Sequence, residues 1–168
     1  MRAAGRMLMQ ATAVAAMLLT AACGGGVRNR VEVEDVVSVA RLGWSGADVE
    51  LRVTNRLHRD LSLESCRVWF RTRSGVLAEA ELRGGAAIAR RTTEQVRMRF
   101  RVSSANPSAM PALWRRLAAG ETDDIWIDAE AAVRIGGRER KIYAQGRRLS
   151  EILSNFGVPE AALPAWFQ

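Results

Sequence analysis

Apolar and polar residues alternate with a period of two over several separate segments of the chain. The clearest runs cover residues 49–54, 95–102 and 125–135. Because successive side chains of a strand point to opposite faces of a sheet, this alternation predicts strands that are buried on one side only. Weaker runs add further strands, at residues 34–42, 61–71, 76–82 and 138–144. Seven short strands with tight connections predict a mainly β protein, an antiparallel sandwich of the immunoglobulin or fibronectin III type.

Local signals refine this prediction. The apolar phase changes within residues 61–71, which predicts a β-bulge near Glu64 and Ser65. Gly136 and Gly137 have the spacing of a two-residue hairpin turn. One helix is expected over residues 109–119, with Ser108 as its N-terminal cap. Its apolar stripe consists of Met110, Leu113, Trp114 and Leu117. A second, shorter helix is expected over residues 150–156.

The first 22 residues have the three parts of an export signal: a basic start, an apolar stretch too short to span a bilayer, and small residues at the end. The sequence that ends at Cys23 resembles the bacterial lipobox, whose cysteine becomes a lipid-bearing N-terminus. Ordinary cleavage after Ala22, which leaves a soluble protein, is the alternative. The expected organisation is a signal peptide (1–22), a lipidated cysteine with a glycine-rich tether (23–31), a β domain (32–147), and a C-terminal helix and tail (148–168).

Residues 49–55, 75–78 and 88–96, together with Leu61 and Leu63, resemble the type 2 late embryogenesis abundant domain, also called the water-stress and hypersensitive-response domain. The resemblance covers residues 32–155. It implies a fibronectin-like sandwich without enzymatic activity, linked in other members with stress protection. Together with the lipobox, it implies a lipoprotein held in the bacterial cell envelope by its N-terminal lipid. Gly24 after the cysteine is compatible with the outer membrane, and a monomer is assumed.

The chain has 25 basic and 18 acidic residues, a net charge of +7. Two groups of basic residues share strand faces and are candidates for binding an anion: Arg97, Arg99, Arg101, Arg138 and Arg140. The anion would be an anionic lipid or a glycan, because an exported domain rarely meets nucleic acid and stacking aromatics are missing between these arginines. Pairing of the first three with acids such as Asp128 and Glu130 is the alternative.

The tail ends in Trp166 and Phe167, which either pack on the domain or contact a membrane or an envelope protein.

The sequence does not indicate catalytic chemistry. His58 is the only histidine, which excludes a multi-histidine metal site, and Cys66 is expected to be a buried thiol.

The acid pairs Glu79/Glu81 and Asp128/Glu130 fall on strand faces expected to be solvated. We therefore predict no cofactor, no metal and no enzyme. The function is expected to be an interaction or stress-protective module. A periplasmic carrier of a lipid or other hydrophobic or anionic ligand is the alternative, which a cavity lined by Met98, Phe100 and Trp114 would favour and a filled core would oppose.

Overall fold

A computed structural model describes residues 30–42 and 45–155 of the chain. The elements are, in chain order, β1 (Val31–Leu42), β2 (Gly46–Asn55), β3 (Leu61–Thr72), β4 (Gly75–Arg83), β5 (Ala86–Ile88), β6 (Thr92–Ser103), α1 (Ala109–Ala118), β7 (Trp126–Ile135), β8 (Arg138–Arg148) and α2 (Leu149–Asn155). The expected signal peptide, Cys23, and the aromatic pair Trp166 and Phe167 lie outside the described residues.

The strands form one antiparallel sheet in the order β1-β2-β6-β4-β3-β7-β8, and β5 pairs with the first residues of β3. The prediction of a mainly antiparallel β fold is confirmed, and all seven expected strands are present. The eighth strand, β5, was missed because three residues after a Gly-Gly pair are too short to show alternation. The two sheets expected for a sandwich are joined here, because β4 hydrogen-bonds to both β3 and β6.

The alternation of the sequence corresponds to burial in the structure. In β6 the residues Val96, Met98 and Phe100 are buried while the residues between them are exposed. The same alternation runs along β7. Buried residues of β2, β3, β4, β6 and β7 form one hydrophobic core, to which α1 adds Met110 and Leu113.

Both predicted irregularities of the strands are confirmed. Leu63 of β3 pairs with Val133 and Ser65 with Ala132, so Glu64 is the extra residue of a bulge. The turn between β7 and β8 consists of Gly136 and Gly137, with φ angles of 56° and 83°. These left-handed conformations are the ones a two-residue hairpin with the twist of its strands requires.

Helix α1 lies where the sequence placed it, but the predicted cap is wrong. The Ser108 hydroxyl donates to Oδ1 of Asn106 (2.8 Å) and does not accept from the helix. The Ser108 backbone N–H donates to the same oxygen (3.1 Å), so Asn106 shapes the turn that precedes the helix. At the other end, the Glu121 N–H donates to the carbonyl of Arg116 (2.9 Å). The side chains of Trp114 and Leu117 are outside the described part.

Asn55, the last residue of β2, is completely buried and ties two loops together. Its Nδ2 donates to the carbonyls of Arg59 (3.0 Å) and Ala89 (3.2 Å). Its Oδ1 accepts from the backbone N–H of Leu57 (3.0 Å). One side chain thus satisfies backbone groups in the loop after β2 and in the loop after β5.

Candidate functional site

The arginine row of β6 (Arg97, Arg99 and Arg101) lies on the outer face of the sheet, as the alternation requires. Asp48 of β2 stands opposite Arg99 and binds two of the three. Its Oδ2 lies 3.0 Å from Nη2 of Arg97, and its Oδ1 lies 2.8 Å from Nε of Arg99. The Asp48 side chain is only 7% exposed, whereas the two arginines are largely exposed. The aspartate therefore neutralises part of the row from beneath.

The two guanidinium groups also keep Asp48 ionised. The hydrogen bond from Arg99 is the largest effect on the pKa of Asp48, and it lowers it. Burial acts in the opposite direction, but the charges of Arg99 and Arg97 add to the lowering, so the pKa lies below its usual value. Sequence reasoning missed Asp48, because finding it requires the pairing of β2 with β6, and alternation alone does not give strand neighbours.

The expected partners of the arginine row, Asp128 and Glu130, are wrong. They lie on β7, and β4 and β3 separate β7 from β6. Arg101 has Glu81 of β4 opposite it in the register. Among the described residues, Arg101 makes no ion pair.

The carboxylates of β4 and β7 converge on Arg67 of β3. Its Nε lies 3.0 Å from Glu79, while its Nη2 and Nη1 lie 3.7 Å from Glu81 and 3.9 Å from Glu130. Trp69 donates its Nε1–H to Glu79 (3.2 Å), and its ring centroid lies 5.9 Å from the Arg67 guanidinium. These acids hold neighbouring strands together through a shared cation, and they do not line a cleft with a free base.

Asp128 shapes β8. Ile127 pairs with Arg147 and Ala129 with Ala144, so Gln145 and Gly146 form a bulge opposite Asp128. Oδ1 of Asp128 accepts from the Gly146 N–H (2.8 Å) and from Nη2 of Arg71 (3.0 Å), and Arg71 Nε contacts the other oxygen. Burial raises the pKa of Asp128, but these hydrogen bonds and the charge of Arg71 outweigh it and lower the pKa. The aspartate stabilises the bulge as an ionised acceptor.

Arg138 and Arg140 do not join the arginine row of β6. They pair with Ile135 and Val133, so they lie on the face of β8 that continues the core side of β7, and both are exposed. The β6 arginines lie on the opposite face, with three strands between. The five arginines proposed for anion binding therefore form two separate groups.

Two further reactive side chains in the described part of the chain are His58 and Cys66. His58 is exposed in the loop after β2, with its Nε2 3.2 Å from Nη2 of Arg91. Cys66 is 2% exposed, and burial raises the pKa of its thiol to about 12, so it is protonated at neutral pH. Within residues 30–42 and 45–155, His, Cys, Asp and Glu do not gather in groups of three or more that could hold a metal ion.

Strands β2 and β6 face β3 and β5 across the core. A cavity there has a volume of about 10 Å³ and is lined by Val53, Leu61, Leu63, Ala86, Ile88, Val96 and Met98. This is about the space that one water molecule needs.

Neither of the two helices in the described ranges is long and apolar enough to cross a bilayer.

Comparison with known proteins does not assign a family. No family model matches the chain, and no curated protein matches it. A solved protein from Archaeoglobus fulgidus is 12% identical with a TM-score of 0.38, over 67% of this chain and 98% of that one. The GAE domain of GGA2p from Saccharomyces cerevisiae is 8% identical with a TM-score of 0.31, over 68% of this chain and 82% of that one. At such low TM-scores, these similarities carry no argument about function.

Proposed function

We propose that this protein is a non-enzymatic lipoprotein of the bacterial cell envelope, whose β domain acts as an interaction or stress-protective module. Acylated Cys23 holds it on the outer membrane, and the residues between Cys23 and β1 form the tether, which ends earlier than the expected residue 31 because Val31 is buried as the first residue of β1. The observation that carries the non-enzymatic part is the engagement of the strand-face carboxylates by arginines. Arg67 contacts three of them, and Arg71 holds Asp128.

General acid-base catalysis works best when the catalytic group has a pKa near the working pH. The pKa values of Asp48 and Asp128 are instead lowered by their arginine and backbone partners, which keeps both carboxylates ionised. Each also has a structural role, in the pairing of β2 with β6 and in the β8 bulge. This arrangement supports a domain that presents surfaces to partners and does not turn over a substrate.

The finer fold that we propose is an immunoglobulin-like sandwich of the late embryogenesis abundant type 2 class. The lining of the small cavity supports it, since Val53, Val96 and Met98 of β2 and β6 face Leu61 and Leu63 of β3 across the core. These strands are not neighbours in the sheet. The two ends of the curled sheet act in this proposal as the two layers, with β4 passing between them.

The small volume of the core cavity does not support the carrier alternative. Pockets that enclose ligands usually have volumes of about 300 Å³ or more. The cavity between the two ends of the sheet holds about 10 Å³. Of the residues expected to line a binding cavity, Met98 lines this small cavity and Phe100 is packed in the hydrophobic core.

The anchor is the part of this proposal that an experiment tests directly. Each buried methylene of an acyl chain contributes about 0.8 kcal/mol, so two or three chains hold a protein on a membrane durably where a single chain does not. The chain has only two cysteines, Cys23 and Cys66, which provides a matched pair of variants. We propose expressing the full chain in a bacterial host, separating membrane from soluble fractions, and determining the mass of the mature N-terminus.

The expected result is an acylated N-terminal Cys23 in the membrane fraction. Cys23→Ser abolishes the lipid, so the protein is either released into the soluble fraction or retained with its signal peptide uncleaved. Cys66→Ser leaves both the lipid and the fractionation unchanged. A parent protein recovered in the soluble fraction with an unmodified Cys23 would contradict the proposed anchor.

A further inference from the structure

Strand β8 stands last in the strand order of the sheet and carries an excess of positive charge. In the part of the chain that the structure describes, β8 pairs with β7 alone. It contains one acidic residue, Glu139, and five basic residues: Arg138, Arg140, Lys141, Arg147 and Arg148. None of the five makes an ion pair with another described residue, and Glu139 lies 3.8 Å from Arg134 of β7. An unpaired edge carries backbone donors and acceptors that can pair with an added strand.

The register divides β8 into a basic half and an apolar half on its core side. Arg138 and Arg140 are exposed on this side, whereas Ile142 and Ala144 are partly buried against the core. A strand added antiparallel to β8 meets these four residues in reverse order. Its core-side positions thus face Ala144, Ile142, Arg140 and Arg138 in succession.

We propose that the β8 edge binds an extended acidic segment of a partner protein by strand addition, with two alternate apolar residues followed by two alternate acidic residues. The apolar residues cover Ile142 and Ala144, and the acidic residues pair with Arg140 and Arg138. Cross-strand pairs of opposite charge are favourable, and unlike a surface patch they also fix the register. The proposal names a partner for the interaction module and therefore rests on the proposed function.

The charges of β8 discriminate against other occupants. A second copy of this chain paired through β8 brings two strands of net charge +4 together, which like-charge repulsion opposes. A lipid surface contacts a strand from one side, whereas β8 directs Arg138 and Arg140 to one face and Lys141 to the other. An added strand reaches both faces at once and also satisfies the open backbone groups.

The test uses the purified full chain in mild detergent and a synthetic peptide with the order valine, threonine, valine, threonine, glutamate, threonine, glutamate. Binding is measured by calorimetry at low salt, and amide exchange of residues 138–144 is followed by NMR. We expect slower exchange along β8 and an affinity about tenfold higher than that of the same peptide with lysine for glutamate. A peptide that is N-methylated at the residues whose N–H groups face β8 loses binding, whereas methylation of the alternate set, whose N–H groups face away, leaves the pairing with β8 possible.

Matched variants locate the site. Arg140→Glu abolishes the preference between the two peptides, because Arg138 still favours glutamate while the acid introduced at position 140 favours lysine, and Arg52→Glu, the same charge change at an exposed position of β2, leaves the preference unchanged. Circular dichroism confirms that both variants fold.

Four outcomes overturn the inference. These are equal binding of both peptides, binding unaffected by Arg140→Glu, binding to phosphatidylglycerol vesicles without binding of the peptide, and β8 amides already protected by self-association or by the chain's own tail. None of them affects the acylation of Cys23, so failure of this inference and failure of the proposed anchor are distinguishable.

Discussion

Replacement of Asn55 by alanine tests whether one buried amide holds the two loops at the end of β2. Asn55→Ala removes the donor for the carbonyls of Arg59 and Ala89 and the acceptor for the buried N–H of Leu57. Each lost partner costs roughly 1 kcal/mol, so the free energy of unfolding should fall by about 3 kcal/mol. For a domain of this size, that is a decrease in melting temperature of about 10 °C.

Urea denaturation followed by tryptophan fluorescence measures this loss. Asn106→Ala is the matched control, because Asn106 is exposed and its side chain bonds only within a turn, so the loss should stay below about 1 kcal/mol. Asn55→Asp adds a pH test. A carboxylate facing two carbonyls has a raised pKa in the folded state, so this variant is least destabilised at acidic pH and loses stability as pH rises. An Asn55→Ala protein within about 0.5 kcal/mol of the parent would refute the reasoning.

Three further predictions concern single side chains. Phe100→Asp buries an unpaired charge in the core and should prevent folding, which circular dichroism measures. Gln95→Asp, at an exposed position of the same strand, should be tolerated. Equal tolerance of the two variants would contradict the assigned faces of β6. The lowered pKa of Asp48 contributes to the free energy of unfolding above about pH 4, and this contribution is lost as the pH falls through the folded-state pKa. In acid denaturation, the free energy of unfolding of Asp48→Asn should therefore fall less with decreasing pH than that of the parent protein. Cys66 should react with a thiol reagent at neutral pH only at the rate of unfolding, and fast labelling of the native protein would contradict its burial.

The strand pattern could be predicted from the sequence because alternation is a local property. Residues 95–102 and 125–135 show it without interruption, and their buried positions follow from it. The bulge near Glu64 was also predictable, since an extra residue changes the apolar phase. Strand β5 was not, because Ala86–Ile88 is too short for a period and gains its place only by pairing with β3.

The polar contacts were harder to predict, since they depend on which strands are neighbours. Asp48 meets Arg99 only because β2 pairs with β6, and Arg67 meets Glu130 only because β3 pairs with β7. The expected pairing of the β6 arginines with Asp128 failed for this reason, although the principle of cross-strand neutralisation was right. Asn55 directly follows a predicted strand, and nothing in the sequence marked its hydrogen bond to a loop more than thirty residues away.

Strand order also explains where the charge of the domain remains unpaired. Arg67 on β3 has strands on both sides, and each neighbour supplies an acid. Within residues 30–42 and 45–155, strand β8 pairs only with β7, which places Val133 and Ile135 opposite Arg140 and Arg138. Within the described residues no acid lies within ion-pair distance of either arginine, and in the proposed complex the acidic partner supplies the opposite charges. An edge of this kind resists pairing with copies of itself and remains open to an acidic strand.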